Sequence, residues 1–463
     1  MEPLNHADKQ PQKSHRSQSV AALFPSSVIT QRISQRGHSL RFRLTILSFL
    51  QFFIWGSWLI TIGAYWFQTK RWSGAEFGAV FSTMGIAALF APAVAGILAD
   101  RWIQAQKLLG LCHLGGAVML CAVPLVDSPA AMFWVMQVNM LFYMPTISLS
   151  NAVSYTALKK AGTDVVAAFP PIRVWGTIGF IAAMWTVSLL RLETSARQFH
   201  VAAAASFALG LYAFTLPACP SQALTGRQGG VVDWLGLRAF TLFREPKTAL
   251  FFLFAMLLGA ALQLTNAYGD TFLHDFAAMD AYKDTLAVRY PAIIMSVSQI
   301  SETVFILTIP FMLRTFGIKT VMLFSMLAWV ARFGLFAYGD PAGGLWMILL
   351  SCVVYGLAFD FFNISGSLFV ETRSRASMRA SAQGLFIMMT NGFGALLGSA
   401  VSGVVIDTFF TSANQQKDWR GIWLAFAAYA LTVAVLFAVS FRDKKTAQDA
   451  GSQPDTGIEH FRK

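Results

Sequence analysis

The chain has 463 residues, of which 56% are hydrophobic and only 13% charged, with 41 phenylalanines and a formal charge of +12. A soluble domain of this size has no use for so much apolar surface, and apolar runs of about 20 residues recur along the chain, as membrane-crossing helices require. The runs are continuous rather than alternating, which excludes a β-barrel. The basic residues are spread over loops rather than gathered in one patch, which argues against nucleic acid as a partner.

Residues 1–43 are polar, Ser-rich and basic, with Glu2 and Asp8 the only acids, and read as a disordered cytoplasmic tail. The stretch from Val20 to Ile29 is too short and too interrupted for a signal peptide. Apolar spans then fall at 44–66, 75–99, 104–126, 130–157, 168–190, 198–217, 248–274, 290–313, 319–338, 345–371, 380–407 and 420–441. The longest internal loop, 218–247, carries Arg227, Arg238 and Arg244 and divides the chain into six-helix bundles at 44–217 and 248–441. Residues 442–463 form a second polar tail. With residue 1 inside, the inner segments hold 25 Lys and Arg, the outer loops 8, and the spans two, Arg173 and Arg332. That asymmetry predicts that both termini are cytoplasmic. Cys112, Cys121, Cys219 and Cys352 fall in or beside apolar runs, at spacings that suit neither a zinc site nor a disulfide framework.

The expected fold class is therefore an all-α membrane protein. Twelve spans split six and six by a basic inner loop resemble the outline of the major facilitator superfamily, two repeat-built bundles around a central site. The loop after the second span, Gly96-Ile97-Leu98-Ala99-Asp100-Arg101, is similar to the start of that superfamily's cytoplasmic signature, whose role there is a conformational latch. Gly96, Asp100 and Arg101 are the candidate latch residues. The signature's following Gly-Arg-Arg is absent; residues 103–107 read IQAQK.

Polar residues inside apolar spans are costly and mark function. On a helix, Gly356, Asp360, Asn363 and Ser367 form one small-polar stripe in the tenth span, with Tyr355 and Phe359 stacked one turn apart beside it. A carboxylate at the centre of a span costs about 2.5 to 3.5 kcal/mol on insertion scales. Arg173, Thr177 and Phe180 share a face of the fifth span; Gln263, Asn266, Asp270 and His274 of the seventh; Gln299 and Glu302 of the eighth. One such stripe could be helix–helix glue. Four of them read as the lining of a cavity. Asp270 and His274, near an outer helix end, are expected to be solvated. Arg332 reads as a structural pair or a snorkelling residue, and His113 as a packing or hydrogen-bonded residue. Tyr143, Pro145 and Asn151 are candidates for a kink in the fourth span.

The chemistry of the lining narrows the ligand. Gln, Asn, Thr and Tyr are neutral donor–acceptors, and the aromatic rings offer flat faces. One cation, Arg173, is matched by two carboxylates, Glu302 and Asp360, whereas a phosphate site would want a surplus of cations. The set suits a neutral, hydroxyl-rich, partly aromatic solute. A nucleoside meets both requirements, and a sugar meets the first. No HExxH, GxSxG or phosphate-cradling loop occurs, so neither an enzyme nor an ATP-driven pump is expected, and no cofactor or metal is called for.

At these residues the sequence resembles the bacterial nucleoside–proton symporters of the major facilitator superfamily, the nucleoside permease and xanthosine permease group. The carrying stretches are LSFLQFFIWGSWLITIG at 47–63, FPPIRVWGTIGF at 169–180, MLLGAALQLTNAYGDTFLH at 256–274, SQISETVFILTIPF at 298–311, FAYGDP at 336–341, YGLAFDFFNISGSLFVE at 355–371 and RASAQGLFIMMTNGFGALLG at 379–398. The resemblance spans residues 41 to 442. It implies substrate contacts at Arg173, Thr177 and Phe180, at Gln263 and Asn266, at Gln299 and Glu302, and at the aromatic positions Tyr355 and Phe359. It implies proton coupling at Asp360, with Glu302 as the other carboxylate. It further implies a place in the cell inner membrane, with nucleosides, protons and the lipid bilayer as partners; a monomer is expected, although the sequence itself does not fix the oligomeric state. Ala261 departs from the pattern, standing where the nucleoside permease carries an acid.

Overall fold

Inside hydrocarbon a backbone has no water to bond, so an apolar run satisfies its own amides by coiling into a helix. The structure, a computed structural model, describes residues 26–219, 237–373, 379–414 and 416–441. We number the long helices α1 (Ser26–Gly56), α2 (Gly74–Arg101), α3 (Ala105–Ala122), α4 (Pro129–Lys160), α5 (Val165–Leu189), α6 (Arg197–Ala213), α7 (Pro246–Asp275), α8 (Pro291–Ile306), α9 (Ile309–Tyr338), α10 (Leu345–Arg373), α11 (Arg379–Ile387, continued by a π-helical Met388–Gly394 and by Ala395–Phe409) and α12 (Trp419–Ser440). The expected tails at 1–25 and 442–463 and most of the expected central loop lie outside the described residues.

Nine stretches among the described residues are long and apolar enough to cross a membrane, at 74–99, 105–125, 129–160, 168–189, 246–278, 309–338, 345–370, 382–409 and 419–440. The remaining expected spans, 44–66, 198–217 and 290–313, fall on helices that break or stop early. The first breaks in mid-membrane: α1 starts at Ser26, ahead of the expected boundary, and ends at Gly56. The chain then turns through 57–61 and resumes as Ile62–Ala64 and a π-helical Tyr65–Lys70. Ser57 helps to open the helix by donating its hydroxyl to the Phe53 carbonyl at 2.8 Å. The eighth expected span ends at Ile306, and Gly317 then divides α9 with a backbone of φ 75° and ψ 165°, which a side chain would oppose.

Helices of the first half meet those of the second along α2–α11 and α5–α8. The polar cross-contacts cluster at the end that the charge asymmetry assigns to the outside. Asp407 of α11 accepts hydrogen bonds from the Gly74 and Ala75 amides at the start of α2, at 3.0 and 2.5 Å. Trp185 of α5 donates to Ser296 of α8 at 2.9 Å. The Lys417 ammonium sits 4.1 Å over the Phe67 ring. Gly403 runs so close to Gly74 that a Cβ there would come within 2.3 Å of its carbonyl oxygen.

This closure overturns one expectation. Asp270 and His274 are not solvated; they are 0% and 8% exposed, covered by Glu193 from the segment between α5 and α6. Arg332 is 1% exposed, so it does not snorkel. It pairs with no carboxylate among the described residues, and instead donates to the Ser351 carbonyl at 2.7 Å and to Thr265 and Ser298. His113 is hydrogen-bonded as expected, between Gln51 at 2.9 Å and Ser206 at 3.3 Å. Pro145 lies inside α4, which runs unbroken from Pro129 to Lys160. A Cβ at Gly96 would meet open space, and the side chains of Asp100 and Arg101 lie outside the described residues.

Candidate functional site

The centre of the site is one turn of α10. Tyr355 and Phe359 are spaced four apart, so their rings stand on one face. They stack with centroids 5.7 Å apart and planes 4° from parallel. Tyr355 is fixed from two further sides. Trp329 of α9 meets it edge-on at 5.9 Å, and the Arg332 guanidinium lies 4.6 Å from its ring centroid. Arg332 is itself pinned by α7, α8 and α10 through the bonds given above. The ring pair is therefore held in place before any ligand arrives, which lowers the entropy cost of using it.

Two carboxylates from two helices, Glu302 and Asp360, stand near Tyr355 of this pair. Glu302 of α8 lies within electrostatic reach of Arg173 on α5 and of Asp360 on α10. Tyr355 feels Glu302, Arg332 and Asp360. α8 packs on α5, α7 and α10, which is why its carboxylate can address all of them. Arg173 lies flat on an aromatic face, 3.9 Å from the Phe52 centroid. That contact suits a weakly hydrated guanidinium taken out of water. Two carboxylates in low dielectric, of which only Glu302 faces the Arg173 cation, form a charge-imbalanced group that an added proton would balance.

The hydrogen-bond accounts are open at this place. Asp360 Oδ2, Gln263 Oε1, Gln299 Oε1 and Trp55 Nε1 are buried atoms with no hydrogen-bond partner among the described residues. Buried polar atoms are nearly always paired, and each unpaired one costs about 1–3 kcal/mol. These four are among fourteen such atoms in the described residues, and they stand on helices that carry the candidate contacts. Thr177 and Asn266 are half-buried on α5 and α7, and Phe180 is buried on α5.

The stripe predicted along α10 divides on inspection. Gly356 does not line the interior: a Cβ there would come within 2.7 Å of the Ser301 backbone, and the Ser301 hydroxyl donates to the Val353 carbonyl, so this position joins α10 to α8. Ser367 donates to Gln383 at 3.0 Å and accepts its amide on the backbone at 2.8 Å, joining α10 to α11. Asn363 bonds its own helix at the Phe359 carbonyl. Asp360 is left as the stripe's unpaired polar group. A small cleft borders Phe359 and Asn363, with Leu258, Leu262, Trp329 and Asn391 on its other walls. Arg173, Glu302 and Gln263 do not line it, so the cleft adjoins the convergence rather than coinciding with it.

Three residues of α1 escaped the sequence reasoning: Phe52 under Arg173, Trp55 with its unpaired indole nitrogen, and Gln51. Gln51 is 0% exposed and ties α1 to α3 and α4 through His113, Thr146 at 2.7 Å and Tyr143 at 2.8 Å. A glutamine inside an apolar run is the same signal that singled out Gln263 and Gln299.

Residues 38–446 match the family described as nucleoside H⁺ symporter. The chain is 55% identical to the xanthosine permease of Escherichia coli (strain K12) over 408 residues, covering 87% of this chain and 96% of that protein. It is 50% identical to the nucleoside permease NupG of the same organism over 419 residues, covering 90% and 99%. The crystal structure of the nucleoside transporter NupG superposes with a TM-score of 0.82 at 51% identity, covering 88% of this chain and all of that one.

Proposed function

Because the chain belongs to the nucleoside–H⁺ symporter family, we propose that it imports nucleosides together with protons by alternating access. The observation that carries this reading is the parallel Tyr355–Phe359 pair set among unpaired polar atoms of Gln263, Gln299 and Asp360. A nucleobase stacks on the rings. Ribose hydroxyls donate to the glutamine oxygens and to the carboxylates. Arg173, Thr177 and Phe180 close the site from α5, Asn266 from α7, and Glu302 from α8. In the finer reading the spans number twelve, in six-helix bundles at 44–217 and 248–441 joined through 218–247. The protein sits as a monomer in the inner membrane with both termini cytoplasmic, and performs no chemistry on its cargo.

The proton step follows from charge. An outward-open site lets a proton settle on the Asp360–Glu302 pair, which titrates as a unit. Entry of positive charge is favoured by about 2.3 kcal/mol per 100 mV of membrane potential. Protonation removes a buried charge and leaves one carboxyl able to donate. Nucleoside and proton then leave together on the inner side as the two bundles rock.

The test is uptake of labelled uridine into proteoliposomes of the purified chain, with and without an imposed inward proton gradient. Accumulation above equilibrium only with the gradient supports the proposal. Equilibration without accumulation removes the coupling. Displacement of uridine by lactose but not by adenosine or xanthosine would replace the nucleoside with a sugar.

A further inference from the structure

Glu193, Asp270 and His274 form a second buried cluster, remote in sequence from the ring pair and on the outer side of it. Asp270 and His274 share a face of α7 at i, i+4, and Glu193 reaches them from the first half of the chain. The His274 Nε2 lies 3.2 Å from Glu193 Oε2 and 3.4 Å from Asp270 Oδ2. One donor atom from each residue lies within 4.8 Å of the others. All three residues are buried, Asp270 completely.

These distances are wrong for a tight ion pair and right for something else. Charge-assisted hydrogen bonds are about 2.7–2.9 Å long, and Nε2 makes no hydrogen bond to either oxygen. Ligands about 2.0–2.1 Å from a tetrahedral zinc ion are separated by about 3.3 Å, the edge of that tetrahedron. Both Nε2–oxygen separations match that edge. Neither oxygen of Asp270 has a hydrogen-bond donor, and no lysine or arginine pairs with Glu193 or Asp270 among the described residues. Two carboxylates with one imidazole carry a surplus of negative charge that one divalent cation would cancel. The other Glu193 oxygen is already oriented, accepting from the Ala292 amide at 3.1 Å. Gln198 holds the Glu193 carbonyl at 2.7 Å and is itself held by Thr61 at 2.6 Å. Such support around a ligand is what metal sites require.

We propose that Glu193, Asp270 and His274 bind a divalent transition-metal ion of the zinc class, joining the two halves of the chain at the outer closure. One His nitrogen and two carboxylate oxygens are borderline ligands suited to zinc, with a fourth position left for water. Sequence spacing does not show this cluster, because Glu193 lies 77 positions before Asp270 and on the other half of the chain.

The test uses purified full-length protein in proteoliposomes and free metal. Cobalt is titrated in and its visible absorption read for a four-coordinate centre; zinc then competes it out. One ion per chain is expected, with His274→Ala weakening zinc binding about tenfold or more. Glu193→Gln, on the other half, does the same and covers the case in which the His274 variant fails to fold. Absence of stoichiometric binding, or unchanged binding in both variants, overturns the proposal. The readout needs no transport, so it stands or falls apart from the uptake experiment.

Discussion

Asp407→Ala isolates the energy that holds the outer end shut. The Asp407 carboxylate accepts two amide bonds from the first turn of α2, across the interface between the halves. Alpha2 does not need it to remain helical. Ser73 already caps that helix, accepting from the Glu76 amide at 3.3 Å and donating to the Glu76 carboxylate at 2.8 Å. The substitution therefore penalises the outside-closed state alone. A capping carboxylate removed to alanine costs about 0.5–2 kcal/mol, and bonds to a charged acceptor are worth about 1.5–3 kcal/mol each before water takes their place. About 2 kcal/mol shifts the closed-to-open ratio about 30-fold. The assay places a cysteine at Ser399, which is 1% exposed and packed against Gly78, in a chain whose four native cysteines are replaced. Labelling by a membrane-impermeant maleimide then reports the open population. It should rise about 30-fold in the Asp407→Ala chain. A rate within twofold of the parent would refute the assignment of Asp407 as a cross-half cap.

Three further outcomes are expected. Asp360→Asn should abolish uphill accumulation of uridine, which for one coupled proton reaches about tenfold per pH unit, while counterflow exchange continues; retained accumulation would move the proton elsewhere. Tyr355→Ala should raise the uptake KM by roughly 5- to 150-fold, the range expected for losing about 1–3 kcal/mol of base stacking, with Tyr355→Phe close to the parent. Arg332→Leu should cost about 2 kcal/mol or more of stability, read as a lower Tm in detergent, because it removes the guanidinium bonds to the Ser351 carbonyl, Thr265 and Ser298 that join three helices. Arg332→Lys should not restore the parent Tm, since an ammonium cannot reproduce the planar fork over Tyr355.

Much of the site was legible because a polar residue in a membrane span announces itself. Arg173, Gln263, Gln299, Glu302 and Asp360 stand out of apolar runs, and helical spacing aligned Tyr355 with Phe359 as the structure has them. Spacing on one helix says nothing about which neighbour a face meets. That is why Gly356 and Ser367 were counted with the lining when they join α10 to α8 and α11. The same gap hid the burial of Asp270 and His274, which depends on Glu193 arriving from the other half. Helix breaks were illegible for a different reason. Residues 57–61 contain no Gly or Pro to mark a break, and the Ser57 hydroxyl bond to the Phe53 carbonyl is not visible in an apolar run.

That turn changes what the first span is mechanically. Irregular backbone at membrane depth survives only where protein covers it, and Ser57 to Trp66 are all buried. The long inner piece of the span packs on α5 and α6. The short outer piece lies between the halves: a Cβ at Gly63 would strike the Thr271 hydroxyl and the Ala267 carbonyl of α7, while Tyr65 meets Phe199 of α6 edge-on at 5.4 Å and the Thr69 hydroxyl donates to the Thr194 carbonyl. The span is two helical pieces with a turn at 57–61, the inner seated on the first half and the outer touching both. Relative movement of the halves has to break the outer piece's contacts with one of them, so this short segment adds to the cost of opening that end.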